Sequence, residues 1–190
     1  MAGPQLTPFE HILLGMICAA PSSGYDLKRI FADTPMGVYQ PSSGALYPAL
    51  RRLERKGLAR AQAPSGHTAR SARHRRVYEP TPTGRAAHAA WLRTTVDPAT
   101  VSRYLGLHLM RFAMMEHLLP PDEVLTFLHN LAAALAAFTA ELEHHYTLTA
   151  DLSDHHPHLA LDHGLAVHRA SLQWTQRAIT ALSAASAPAP

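Results

Sequence analysis

The fold is decided by the stretch Gln40-Pro-Ser-Ser-Gly-Ala-Leu-Tyr-Pro-Ala-Leu-Arg-Arg-Leu-Glu-Arg-Lys-Gly57. Leu46, Leu50 and Leu53, spaced four and three apart, lay one apolar stripe along a helix. Ser42 or Ser43 caps its start, Arg55 and Lys56 complement the negative end of its dipole, and Gly57 stands where a helix C-terminal glycine belongs. Pro48 leaves the Gly44 carbonyl without its helical partner, so a distortion or another contact is expected there. Small residues at the start of this helix permit close approach to a partner. Ser42, Ser43 and Tyr47 offer neutral donors, and Arg51, Arg52 and Arg55 add positive charge.

Upstream, Thr7 followed by Pro8 and Glu10 signals a helix whose apolar face is Phe9, Ile12, Leu13, Met16 and Ile17. Ser22-Ser23-Gly24 is predicted to turn the chain and cap a short second helix over Tyr25–Phe31. Downstream of Gly57, residues 58–63 and 76–80 read as antiparallel strands. The loop between them contains Arg70, Arg73 and Arg75 and no apolar residue larger than alanine, so it reads as a mobile basic hairpin tip. Thr83 is predicted to cap a fourth helix reaching about Thr94, with Trp91 and Leu92 buried.

The second half reads as helix throughout. Asp97-Pro98 opens a helix to about Leu119, and Pro120-Pro121 ends it and starts the next. In that next helix Val124, Leu128, Leu131, Leu135, Phe138 and Leu142 keep the four-three rhythm of a helix seeking a helix partner. A third long helix ending near Leu182 repeats the rhythm with Leu161, Leu165, His168, Leu172, Thr175, Ile179 and Leu182, after a loop or frayed start over residues 154–160. The fold class is therefore mainly α. A winged helix-turn-helix of three helices, a two-stranded wing and a following helix is expected over residues 1–95. An all-α pairing domain is expected over 96–182, and a disordered tail over 183–190.

Charge divides at the same place. Residues 1–95 carry 13 Lys/Arg against 5 Asp/Glu, and residues 96–190 carry 4 against 9, a pattern that suggests a polyanion-binding head on a body with another task. A single cysteine, Cys18, excludes an internal disulfide framework and suits a reducing cytoplasm. The longest apolar run, residues 12–20, lacks a basic flank and falls short of the ~20 residues of a membrane span, so neither secretion nor membrane insertion is expected.

A helix of this kind fits the major groove of B-DNA, and Arg70, Arg73, Arg75 and Arg76 are placed to grip phosphates or enter the minor groove. The segments Gly24-Tyr25-Asp26-Leu27, Gly44 to Glu54 with Gly57-Leu58, and Arg76-Val77-Tyr78-Glu79-Pro80-Thr81-Pro82-Thr83-Gly84-Arg85 resemble the PadR family of transcriptional regulators. The second half is similar to the helical domain of the longer, virulence-activator-type subfamily, through Arg111-Phe112, Leu119-Pro120-Pro121-Asp122-Glu123, Leu161-Asp162-His163-Gly164 and Trp174. The resemblance implies a bacterial homodimer, usually a repressor, that binds a near-palindromic operator and in some members releases it on binding a small effector. It places Ser42, Ser43, Ala45, Tyr47, Arg51 and Arg52 on or near the DNA-facing helix. Two departures stand out: Ala45 occupies a place where the family often has threonine, and the wing is unusually rich in arginine. The pairing face is assigned to Val124, Leu128, Leu131, Leu135, Phe138, Leu142, Leu165, Leu172 and Ile179.

Ten of the 14 histidines lie in the second half, and those from His144 to His168 intermingle with Glu141, Glu143, Asp151, Asp154 and Asp162. Their spacing matches no closed metal site, so a metal-sensing protein is the alternative reading to solvated histidines. His168 falls on an apolar stripe and reads as a core histidine or as an effector-orienting, titrating group; His108 is similar. Arg111 receives an acidic effector or serves a structural ion pair, and Trp91 and Trp174 are packing residues or ligand platforms. No nucleophile–base pair or phosphate loop stands at informative spacing. The expectation is a non-enzyme without cofactor or metal, partnered by double-stranded DNA, a second copy and a small effector.

Overall fold

The computed structural model describes residues 5–33, 43–62, 76–116 and 118–186. The chain divides into two compact units, Met1–Leu92 and Arg93–Pro190. The first opens on a reciprocal cap: the Thr7 hydroxyl accepts from the Glu10 amide at 3.2 Å, and the Glu10 carboxylate accepts from the Thr7 amide at 3.0 Å. Helix α1 (Pro8–Ala19) follows and buries Ile12, Leu13, Leu14 and Ile17 completely. Ser23 caps α2 (Gly24–Asp33), accepting from the Asp26 amide at 3.2 Å while its hydroxyl donates to the Asp26 carboxylate at 2.6 Å.

Helix α3 (Ser43–Arg55) packs Leu46, Ala49, Leu50 and Leu53 inward, as the stripe predicts. It is continuous through Pro48, against the expected distortion. Pro48 lies early enough that the carbonyl it deprives belongs to Gly44 in the first turn, which is solvent-exposed and so carries no burial penalty for the lost bond. Gly57 ends the helix at φ +68°. The Leu58 amide donates to the Leu53 carbonyl and the Gly57 amide to the Glu54 carbonyl, both at 2.9 Å, a closure that requires the left-handed conformation glycine adopts without strain.

Strands β2 (Ala59–Ala61) and β3 (Val77–Pro80) pair antiparallel with Ala59 opposite Pro80 and Ala61 opposite Tyr78. Beyond the two strands expected, β1 (Ser22–Ser23) joins the other edge of β3, with Ser22 opposite Tyr78. A two-residue strand carries no alternation to read, and its partner is remote in sequence. Helix α4 (Pro82–Leu92) is capped by Thr81 rather than Thr83, because Pro82 takes the first helical position. The Thr81 hydroxyl accepts from the Gly84 amide at 3.0 Å and donates to the Gly57 carbonyl at 2.6 Å.

In the second unit Asp97 caps only a 3-10 turn over Pro98–Thr100, accepting from the Ala99 amide at 3.0 Å. The Thr100 hydroxyl turns back onto Asp97, and these local bonds compete with helix, so the long helix expected from residue 97 begins at Leu105 instead. Helices α5 (Leu105–Met115) and α6 (Pro121–Leu148) follow, the latter with Asp122 and Glu123 in its first turn. Helix α6 is long and apolar enough to cross a membrane by length and composition alone, but it sets Phe127, Leu128, Leu131 and Leu135 into the interior of the unit. Helix α7 (His156–Ser186) packs along α6. It starts within the segment read as a loop, because Pro157 is tolerated in a first helical turn, and it runs on to Ser186, past the predicted end at Leu182.

Candidate nucleic-acid interface

Tyr47, Arg51 and Arg55 recur every four residues on α3 and share one exposed face, with Ala45 also exposed at its start. The opposite face is the buried leucine stripe, so core packing fixes which side chains point outward. Beside this face lies a cleft of about 420 Å³ lined by Pro48, Arg51, Arg52, Glu54, Arg55 and Arg76. Four guanidinium groups around one concavity make a site for oxyanions, and planar guanidinium forks suit phosphate.

The four arginines are not equivalent. Arg52 Nε donates to Glu10 Oε1 at 2.5 Å, and Lys56 Nζ stands 3.4 Å from Glu10 Oε2 while donating to the Gln5 carbonyl at 2.7 Å. Glu10 itself is buried. Burial alone would raise its pKa, but the Arg52 hydrogen bond, the Thr7 amide and the charges of Lys56 and Arg52 outweigh that and hold the carboxyl below its ordinary value. Arg52, expected among the DNA-facing donors, thus ties α3 to α1. Arg76 donates to Glu54 at 2.7 Å and lies 5.6 Å over the Tyr78 ring, linking the wing strand to α3. Arg60 and Gln62 both donate to Glu79 across the hairpin. Arg51 and Arg55 have no ion-pair partner among the described residues. Ser42, Arg70, Arg73 and Arg75 lie outside the described residues, and Ser43 is the first residue of α3. Sequence reading missed Glu10 and Glu54 as anchors. Glu10 carried only the signal of a capping residue, and its partners are far away along the chain.

The effector candidates fall in the second unit. His108 and Arg111 are both buried, with an Arg111 amino group 3.5 Å from His108 Nδ1 and the guanidinium 4.9 Å over the Phe127 ring. Arg111 also donates to the Thr94 carbonyl. Burial pushes Arg111 down to about 10, so it stays charged at neutral pH, whereas burial and then the Arg111 charge push His108 down to about 4. His168 is half-buried; its Nδ1 donates to the Gly164 carbonyl at 2.7 Å and its ring lies 4.8 Å from that of Phe138. Trp174 meets Phe112 edge-on, with ring centroids 5.5 Å apart. Phe112, Met115, Glu116, Leu119, Val124 and Leu182 line an apolar cleft of about 420 Å³.

Of the expected pairing residues, Leu128, Leu131, Leu135 and Leu165 are closed off inside a single chain and belong to its core. Helices α6 and α7 pack against each other within that same unit. Val124, Phe138, Leu142, Leu172 and Ile179 remain partly exposed. Among the described residues no three His, Cys, Asp or Glu side chains come together as a metal site. Burial pushes the Cys18 thiol up to about 11, against reactivity.

Three helices, a hairpin on a central short strand and a fourth helix, with a cationic face on the third, make the first unit a winged-helix domain of the DNA-binding class. Residues 13–90, within this winged-helix unit, match the transcriptional regulator PadR-like family. No curated protein matches the chain. Among solved structures it is similar to the PadR-like transcriptional regulator BC1756 from Bacillus cereus, at 20% identity over 92% of this chain and 98% of that one, with a TM-score of 0.38. It is also similar to Bacillus subtilis PadR in complex with operator DNA, at 18% identity over 94% and 99% with a TM-score of 0.41. The same protein in complex with p-coumaric acid matches at 15% identity over 93% and 99%, with a TM-score of 0.39.

Proposed function

We propose that the protein is a homodimeric repressor that reads a near-palindromic operator with α3, grips the flanking phosphates with its wing and is released by a small effector. The observation that carries this is the Tyr47–Arg51–Arg55 face beside the arginine cleft, in a domain of a regulator family. Ser42, Ser43, Ala45 and Tyr47 approach bases, while Arg51, Arg55 and the wing residues Arg70, Arg73 and Arg75 meet phosphates. Arg52 and Arg76 set the angles between α1, α3 and the wing. Residues 96–182 form the pairing domain, through the partly exposed Phe138, Leu142, Leu172 and Ile179. The apolar cleft near Phe112 gives an effector a seat, with His108, Arg111 and Trp174 in the same unit. A reader of chromosomal DNA works in the cytoplasm, and nothing in this role calls for catalysis.

The test is binding to DNA from the promoter adjoining its own gene, followed by fluorescence anisotropy across a salt series. Tight binding that weakens steeply with salt is expected. Replacing Arg51 and Arg55 together by alanine lowers affinity for every duplex and flattens the salt slope by about two. An unchanged slope removes α3 from the phosphate contacts. Replacing Arg73 and Arg75 tests the wing in the same way.

A further inference from the structure

Gly24 is buried in the first turn of α2, yet its backbone does not call for glycine: among the described residues the positive-φ glycine is Gly57. Space explains the residue. A Cβ at Gly24 would fall 2.5 Å from Tyr47 Cε1 and 3.2 Å from both Cδ1 and Cζ. The Tyr47 ring therefore fills the volume an alanine methyl would need, while the side chain remains 44% exposed on the outward face of α3. A helical tyrosine has two accessible χ1 wells, and contact with a bare backbone selects between them.

We propose that Gly24 is a positioning residue for DNA reading, its missing side chain being the seat that aims the Tyr47 ring and hydroxyl. This rests on the reading of α3 as the DNA-facing helix. The colliding atoms form one edge of a partly exposed side-chain ring and include no backbone atom, so a methyl at residue 24 turns the ring instead of breaking the core. Gly84 is the contrast. A Cβ there would fall 1.9 Å from the Leu58 carbonyl oxygen, a backbone atom that cannot swing aside.

The experiment uses the full chain, a duplex that the wild-type chain selects from a randomised library, and an unrelated duplex of equal length. Gly24→Ala should lower the preference for the selected duplex about tenfold, as Tyr47→Ala does, since one well-placed base contact is worth roughly that factor. Affinity for the unrelated duplex and its salt slope should stay within about twofold, because phosphate contacts are untouched. In the Tyr47→Ala background, Gly24→Ala should change neither preference nor melting temperature. An unchanged preference in Gly24→Ala beside a lowered one in Tyr47→Ala overturns the seat and leaves the DNA reading intact. A silent Tyr47→Ala overturns both. Should Gly24→Ala fail to fold, the double variant decides: stability equal to Tyr47→Ala supports the seat, and lower stability shows that Gly24 serves the backbone.

Discussion

The two units treat a buried charge in opposite ways. In the first, Glu10 is met by Arg52 of α3, by Lys56 just past its end and by the amide it helps to cap, so one carboxylate joins the start of α1 to the end of α3. In the second, Arg111 is met by a backbone carbonyl, a ring face and a histidine that burial keeps neutral. The first arrangement fixes angles between short elements, which a face that reads DNA requires. The second lies within a unit whose long α6 and α7 seam is built by leucine and alanine, with ion pairs such as Arg93–Glu123 and Arg169–Glu143 at the surface. Precision in one unit and a long apolar seam in the other follow from where the polar links are placed.

The largest perturbation of this contrast is Gly84→Ala, which drives a methyl into the Leu58 carbonyl. It should cost more than about 4 kcal/mol and abolish the melting transition of the first unit, leaving that of the second in place. Each unit contains one tryptophan, Trp91 or Trp174, so single-tryptophan variants resolve the two transitions by fluorescence. Equal loss in both would break the division.

Acid comes next. His88 in the first unit and His108 in the second are both pushed down to about 4, His88 by burial and His108 by burial and then Arg111. Below about pH 6.5 the unfolded chain takes up these protons and the folded chain does not, so stability is full above that pH and declines toward pH 4. The loss approaches about 3 kcal/mol for each histidine. Replacing His88 by leucine should flatten the acid slope reported by Trp91, and replacing His108 should flatten that reported by Trp174. A slope that stays unchanged assigns the acid response elsewhere.

Glu10→Gln should cost about 2 kcal/mol in the first unit, discounted because Arg52 and Lys56 are partly hydrated, whereas Arg111→Met should cost less than about 1 kcal/mol in the second. Equal costs in urea melts would erase the difference between the two kinds of burial. The smallest effect belongs to Asp97→Ala, which removes the cap of a single 3-10 turn and should cost about 1 kcal/mol or less.

Elements whose signals are local were legible in the sequence. Thr7 with Glu10, the leucine stripe of α3, Gly57 at its end and Pro120-Pro121 between helices each act within one or two turns. What was not legible depends on partners far along the chain. The pairing of Ser22–Ser23 with β3 needs the sheet already built, and the engagement of Arg52 by Glu10 needs α1 already against α3. A basic run names the cations, but only the folded chain separates Arg51 and Arg55, without an ion-pair partner among the described residues, from Arg52 and Arg76, which pair with Glu10 and Glu54. The same applies to Leu128, Leu131 and Leu135, where the four-three rhythm announces burial against a partner without saying that a single chain already buries them.

The Thr81 hydroxyl bonded to the Gly57 carbonyl, with the Thr81 amide on the Leu58 carbonyl at 3.0 Å, clasps the hairpin at its base. Since the closure entropy of a longer loop grows only slowly with length, this clasp holds the base of the two strands whatever the length of chain that joins β2 to β3.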